Sequence, residues 1–199
     1  MRLLYVSLYL EHKNLTTLLK AIPLLHSQDP RRFRLTTTLD PNSEDAGWTM
    51  TGPTDRALAQ QSDIRDSLEI VGVLGQAETQ RLYSQADVFV FPSLTESFGF
   101  PMVEAMAHGL PIIAADTPVN REICEDAAVY FSPLDCQELA AQVRRVATDN
   151  SLRSKLSAAG PRRVAAGFRW PAHVGRVLDG FRHLLAESQA GAPELSRHT

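Results

Sequence analysis

Short apolar runs of β type alternate along the chain with longer stretches whose apolar residues recur at helical spacing. The runs are Leu3 to Val6, Phe33 to Leu39, Leu68 to Val73, Asp87 to Phe91, Pro111 to Ala114 and Ala128 to Phe131. This alternation predicts βα units building a parallel sheet. Leu15, Leu18, Leu19 and Ile22 fall at i, i+3, i+4 and i+7 and predict the first helix, with Asn14 as N-cap and Pro23 as a point of kinking or shortening. Pro101 opens a short helix that runs through His108 and is closed by Gly109 and Pro111. Asp135 and Glu138 read as a capping box ahead of Leu139, Val143 and Val146, and a further helix starts near Ser151. The last helix carries Val174, Val177, Leu178, Phe181, Leu184 and Leu185 on one face, which is expected to dock on an apolar surface.

Between the second and third strands, Pro41, Asn42, Ser43, Gly47, Gly52 and Pro53 punctuate a polar stretch from Asp40 to about Arg56 that reads as a surface loop. From Ser188 onward a frayed tail is expected. The fold expected is therefore one α/β domain over residues 1–187, a Rossmann-like parallel sheet of about six strands with helices on both faces, and a flexible tail over residues 188–199.

Composition narrows the function classes more than the fold. With 199 residues the chain is long enough to bury one core without metal or disulfide staples. A formal charge of −3 gives no general attraction for polyanions, so no nucleic-acid partner is expected. The 2 cysteines, Cys124 and Cys136, lie in no metal-ligand spacing, which suits a reducing cytoplasm. No apolar run approaches the roughly 20 residues that span a bilayer, and Met1-Arg2 leads straight into strand-like sequence rather than a leader. Attachment at a membrane surface stays open.

The chemistry concentrates in Asp87 to Gly109, DVFVFPSLTESFGFPMVEAMAHG. A strand ends near Pro92, a loop holds Glu96, and a helix starts around Phe100 or Pro101 with Glu104 in its first turn. Open α/β sheets bind ligands at the carboxyl ends of their strands, and the free N–H groups of a helix start attract phosphate. Gly99 leaves room for a ligand to approach backbone amides, and two carboxylates can accept hydrogen bonds from sugar hydroxyls. A polyol joined to phosphate fits that pattern. Each residue also has a plain structural reading: Glu104 would gain roughly 0.3–1 kcal/mol from the helix dipole, and Glu96 could be a solvated loop residue. Lys13, near a helix start, gains nothing from the dipole, which favours a functional role. His108 reads as a C-terminal helix cap and His12 as solvated, and Glu122 is assigned no role. There is no D-x-D cluster to chelate a metal on a diphosphate and no GxGxxG for a nicotinamide cofactor.

The segment ESFGFPMVE, a glutamate, seven residues and a second glutamate, resembles the EX7E motif of retaining GT-B glycosyltransferases, above all glycosyltransferase family 4. Three other stretches match that family in order: LLYVSLYLEHKNLTTLLKAI, VGVLGQAETQRLYSQADVFVFPS and AADTPVNREICEDAAVYFSPLD. The resemblance implies one half of a GT-B fold, the C-terminal half that binds a nucleotide diphosphate sugar. By it Glu96 contacts the donor sugar, the amides of Phe98, Gly99 and Phe100 hold sugar hydroxyls or diphosphate, and Glu104 binds the ribose hydroxyls. Lys13 meets the diphosphate, and Val73 and Leu74 lie where the base is met. Lys13 and Glu96 are the catalytic candidates. Retention at the anomeric carbon, independence of metal and the absence of a cofactor are further implications.

Two departures from the family pattern stand out. Ser7-Leu8 occupies the place of an arginine beside the opening loop, so one expected phosphate cation is missing. Everything that precedes the opening strand in the two-domain enzymes is missing too, and an acceptor-binding domain or subunit is the expected partner. The alternative function is a non-catalytic module that binds a sugar nucleotide or regulates a partner.

Overall fold

The structure is a computed structural model that describes residues 1–28 and 32–190, without the side chains of residues 28 and 187–190. Six strands, β1 (Arg2–Tyr5), β2 (Arg34–Thr37), β3 (Leu68–Ile70), β4 (Val88–Phe91), β5 (Ile112–Ala115) and β6 (Ala128–Phe131), form one sheet. Every described pairing is parallel and the spatial order is β3-β2-β1-β4-β5-β6. Each of the six overlaps a run read from the sequence, with β1 starting one residue earlier and β5 ending one residue later than expected.

The helices are α1 (Leu15–Gln28), α2 (Glu44–Gly47), α3 (Gly52–Ala59), α4 (Ser62–Arg65), α5 (Gln76–Gln85), α6 (Phe100–Ala107), α7 (Pro118–Cys124), α8 (Cys136–Thr148), α9 (Asn150–Gly167) and α10 (Trp170–Ala190). They cover both sides of the sheet, with α1 packed on α8 and α6 on α9. Every residue of β4 and of β5 is buried, which is why VFVF and IIAA read as unbroken apolar runs rather than alternating ones. No helix among the described residues is long and apolar enough to cross a membrane.

Several local expectations change in the fold. Pro23 sits inside α1 without ending it. Asn14 stands directly before α1 in a left-handed conformation, where its Oδ1 accepts from the Thr17 hydroxyl at 2.7 Å. Asp135 does cap α8, accepting from the amides of Gln137 and Glu138 at 2.9 Å, but Glu138 reaches back to the Ser132 amide instead of closing the box. The stretch expected as a loop from Asp40 contains α2 and the start of α3, because Ser43 caps the one and Pro53 suits the first turn of the other. Helix α10 extends to Ala190; residues 191–199, most of the expected tail, lie outside the described residues.

The apolar face of α10 docks on nothing among the described residues. Val177, Leu178, Phe181, Leu184 and Leu185 are between 43% and 63% exposed, and only Val174 is half-buried. Periodicity states that a helix has an apolar face; it says nothing about which chain covers it.

The starts of β1 and β4 are tied by Asp87, whose carboxylate accepts from the Arg2 amide at 2.7 Å and its guanidinium at 3.1 Å. Burial pulls the Asp87 carboxyl upward, but the bonds and charge of Arg2 outweigh it and hold it below the usual range. A depressed folded value contributes stability above the unfolded pKa of about 3.9 and loses it as pH falls through the folded value. The melting-temperature gap between wild type and Asp87→Asn is therefore expected to be open at neutral pH and to close below about pH 4. A gap constant down to acid pH would refute that linkage.

Candidate functional site

The strand order reverses between β1 and β4, and doubly wound sheets place their ligand crevice outside the carboxyl ends at such a point. The segments leaving these two strands are stitched together there. The Leu94 amide donates to the His12 carbonyl at 2.8 Å, Asn14 Nδ2 to the Pro92 carbonyl at 3.1 Å, and the Tyr5 hydroxyl to the Lys13 carbonyl at 2.7 Å. Tyr5 is fully buried and meets Phe91 edge to face at 6.0 Å.

That stitching brings two of the residues singled out in the sequence into contact. Lys13 Nζ lies 2.6 Å from Glu96 Oε1, with side chains only 12% and 11% exposed. Every other described ion pair has a partner more than half exposed. In an interior of low dielectric a charge is costly unless it is paired, so the two hold each other in place and leave the crevice locally neutral.

Gly99 directly precedes α6 at φ 87°, a conformation that favours glycine, and a Cβ there would lie 2.5 Å from Met102 Cε. No described hydrogen bond uses the N–H groups of Phe98, Gly99 or Phe100. They are free donors at the start of a helix, next to the Lys13–Glu96 pair. The Phe98 ring is half-buried while Phe100 is 69% exposed, the two rings 4.9 Å apart.

Glu104 is not in the first turn of α6, which holds no acidic residue, so the dipole explanation for it falls away. It is half-buried, and Oε2 accepts from the Tyr83 hydroxyl at 2.8 Å, leaving Oε1 without a described bond. Tyr83 is fully buried, and burial first, then the Glu104 charge, raises its hydroxyl pKa. His108 stacks on the Tyr83 ring at 5.2 Å, and its Nδ1 lies 2.8 Å from the Glu104 carbonyl oxygen, so it caps the helix end as expected. Sequence reasoning missed Tyr83; the available signal was that a tyrosine on a buried helix face needs a partner for its hydroxyl.

A crevice of about 370 Å³ opens at the same edge, lined by Val6, Ser7, Leu8, Leu10, Lys13, Thr38, Val73, Leu74, Thr79 and Pro101. Leu74 and Lys13 thus share one cavity, while Glu96 and Glu104 border it only through Lys13 and through the helix that carries Pro101. Lys13 is the one cation among these lining residues, since Ser7-Leu8 brings none. Asp55, in the stretch expected as a loop, is 1% exposed and was also missed.

The family model described as glycosyl transferases group 1 matches residues 2–163. Among curated proteins, MMP alpha-(1->4)-mannosyltransferase of Mycolicibacterium hassiacum is 29% identical over 181 residues, which make up 89% of this chain and 42% of that protein. Among solved structures, sucrose-phosphate synthase from Thermosynechococcus elongatus superposes with TM-score 0.75 at 29% identity, over 94% of this chain and 46% of that one. The C-terminal domain of a glycosyl transferase group 1 family protein from Francisella tularensis superposes with TM-score 0.68 at 18% identity, over 85% of this chain and 87% of that one. The chain therefore spans less than half the length of the two full-length proteins. With the sheet order of a doubly wound domain, a crevice at its switch point and a family match over most of its length, the chain belongs to the glycosyl transferases group 1 family and has the fold found in part of the GT-B glycosyltransferase structures.

Proposed function

We propose that this chain binds the sugar-nucleotide donor for a retaining, metal-independent transfer, with Lys13 on the diphosphate, Glu96 on the sugar and Glu104 on the ribose. The observation that carries the proposal is the Lys13–Glu96 contact across the switch point, beside the three free amides of Phe98, Gly99 and Phe100. An ammonium and unpaired N–H groups are what a diphosphate leaving group needs as charge develops on it. Leu74 and the exposed Val73 supply an apolar surface against which a base can lie. Tyr83 occupies one oxygen of Glu104, which aims the other for a vicinal diol. No cofactor takes part. The acceptor belongs to a second domain or subunit that meets the exposed face of α10.

Calorimetry with UDP, GDP, ADP and dTDP sugars, with and without a chelator, tests the proposal. Uptake of at least one donor, indifferent to chelator, is expected, and silence across the panel would sink it. Glu104→Ala should weaken binding of the free nucleoside diphosphate about tenfold, the loss expected when a charged hydrogen-bond acceptor is removed. Glu96→Ala should leave that affinity intact and erase discrimination between donor sugars. If neither substitution changes anything, both glutamates are structural only. Binding without any transfer in the presence of a docked acceptor domain would favour the non-catalytic module.

A further inference from the structure

The carboxylate of Asp55 is buried on α3, away from the crevice lining, yet it grips the chain on both sides of Lys13. Its Oδ2 accepts from the Tyr9 hydroxyl at 2.5 Å, and its Oδ1 accepts from the Thr16 hydroxyl. Tyr9 precedes Lys13 in the segment leaving β1, and Thr16 follows it on α1. Between them, Leu10 and Lys13 face the crevice, and the Lys13 amide bonds the Leu10 carbonyl at 3.0 Å.

The platform that carries Asp55 is itself held closely. A Cβ at Gly52 would lie 2.0 Å from the Ala46 carbonyl oxygen, so α3 packs against α2 at a distance only glycine permits. Arg56 Nε donates to the Pro41 carbonyl at 3.3 Å, and α3 packs on α1. The first turn of α3, where Asp55 sits, favours a carboxylate by roughly 0.3–1 kcal/mol through the helix dipole, which is less than the cost of burying its charge. Asp55 has no described ion-pair partner, and its two hydrogen-bond donors are neutral. Burial raises its pKa in spite of the bonds from Thr16 and Tyr9 and the charge of Lys20. A neutral or apolar residue of the same shape would cost the fold less. What an acceptor-only group does supply is a fixed anchor for two hydroxyls at once.

We propose that Asp55 is a positioning residue, which through Tyr9 and Thr16 holds the β1–α1 segment so that Lys13 reaches a bound diphosphate. The proposal rests on the reading of Lys13 as the diphosphate ligand. Without the anchor, the segment from Tyr9 to Thr16 keeps its bonds to the β4 loop and to Tyr5, the Glu96 contact of Lys13 and the Thr49 and Thr51 hydroxyls beside Tyr9. It loses the one group that grips it on both sides of Lys13, and the ammonium is held less firmly toward the crevice.

The test is a double-substitution cycle on the 199-residue chain, read by calorimetry with UDP, GDP and ADP and by amide hydrogen exchange. Asp55→Ala should lower affinity about tenfold, the scale seen when the group orienting a ligand-binding side chain is removed. In a Lys13→Met background the same change should cost less than about twofold, because the ligand it positions is already gone. Asp55→Asn keeps one acceptor and turns the other arm into a donor, so its loss should fall between wild type and Asp55→Ala. Exchange should rise at residues 7–14 and stay unchanged in β4 and β5. An equal loss in both backgrounds, or unchanged affinity with unchanged exchange, overturns the proposal. If Asp55→Ala does not fold, Asp55→Asn and Tyr9→Phe carry the cycle, Tyr9→Phe removing one arm of the anchor. If wild type binds none of the three nucleotides, the nucleotide reading of the crevice fails. Exchange still decides the role of Asp55 then: a local rise supports it and a uniform change refutes it.

Discussion

Purified alone, this 199-residue chain will bind a nucleoside diphosphate sugar and transfer almost none of it to an acceptor. The crevice lies at the open edge of the sheet, and Leu8, Leu10 and Val73 lining it are exposed. The mannosyltransferase and the sucrose-phosphate synthase it matches are more than twice as long, and among the described residues there is a single crevice-bearing sheet, and nothing covers the apolar face of α10. Holding an acceptor at reacting distance accounts for about 7–11 kcal/mol of barrier reduction in well-oriented systems, and none of that is available here. Water also enters an open crevice, so slow hydrolysis of the donor should exceed transfer. Incubation with labelled donor and a panel of acceptors, followed by separation of free sugar from glycosylated product, measures both. Adding a separate acceptor domain should raise transfer only where the two associate. Efficient transfer by the monomer with no second polypeptide would show that the chain contains a complete active site.

Replacing Lys13 by methionine should damage stability and binding by separable routes. The substitution leaves the Glu96 carboxylate buried without its partner. Removing one member of a buried pair costs about 3–5 kcal/mol, and the low end applies because the crevice admits water. For a domain of this size that lowers the melting temperature by about 6–12 °C. Nucleoside diphosphate affinity should fall at least about tenfold, as when a charge-assisted bond of 1.4 kcal/mol or more is lost. The double variant Lys13→Met, Glu96→Gln leaves no stranded charge and should recover most of the stability while binding stays lost. Glu96→Gln alone frees the ammonium for phosphate, so free nucleoside diphosphate should bind at least as well as to wild type. Differential scanning calorimetry and binding titrations on the four proteins separate the two effects. Binding that recovers together with stability in the double variant would mean that Lys13 acts only by holding the fold.

The sheet was readable because β4 and β5 are apolar at every position and because each neighbouring helix has a period that differs from that of a strand. Ends were less readable. Asn14 lies in a left-handed turn and binds a side chain, and Glu138 caps the Ser132 amide; both depend on where the preceding strand leaves the chain. The segment after β2 was misread as loop because helices α2 and α3 are short and polar, and their buried face, Ala46, Asp55 and Ala59, has no apolar period to reveal it. Tyr83 escaped notice for a related reason. A hydroxyl's partner is a spatial neighbour, and Glu104 lies on another helix.

By itself, the sequence determined the six strands, the longer helices, the parallel α/β class and the family, and it singled out Lys13, Glu96, Glu104 and the Phe98–Phe100 turn as candidates for the chemistry. These follow from periodicity, from glycine and proline punctuation and from ordered matching blocks, all of which are local along the chain. The tertiary structure alone decided that Lys13 and Glu96 form a buried pair, that Tyr83 holds Glu104, that Asp55 anchors the segment carrying Lys13, and that α10 presents its apolar face uncovered. Each of those is a contact, or the lack of one, between residues distant in sequence. The physical reason is that side-chain pairing energies depend on distance and desolvation, and a chain of residue types carries neither until the sheet has brought β1 and β4 side by side.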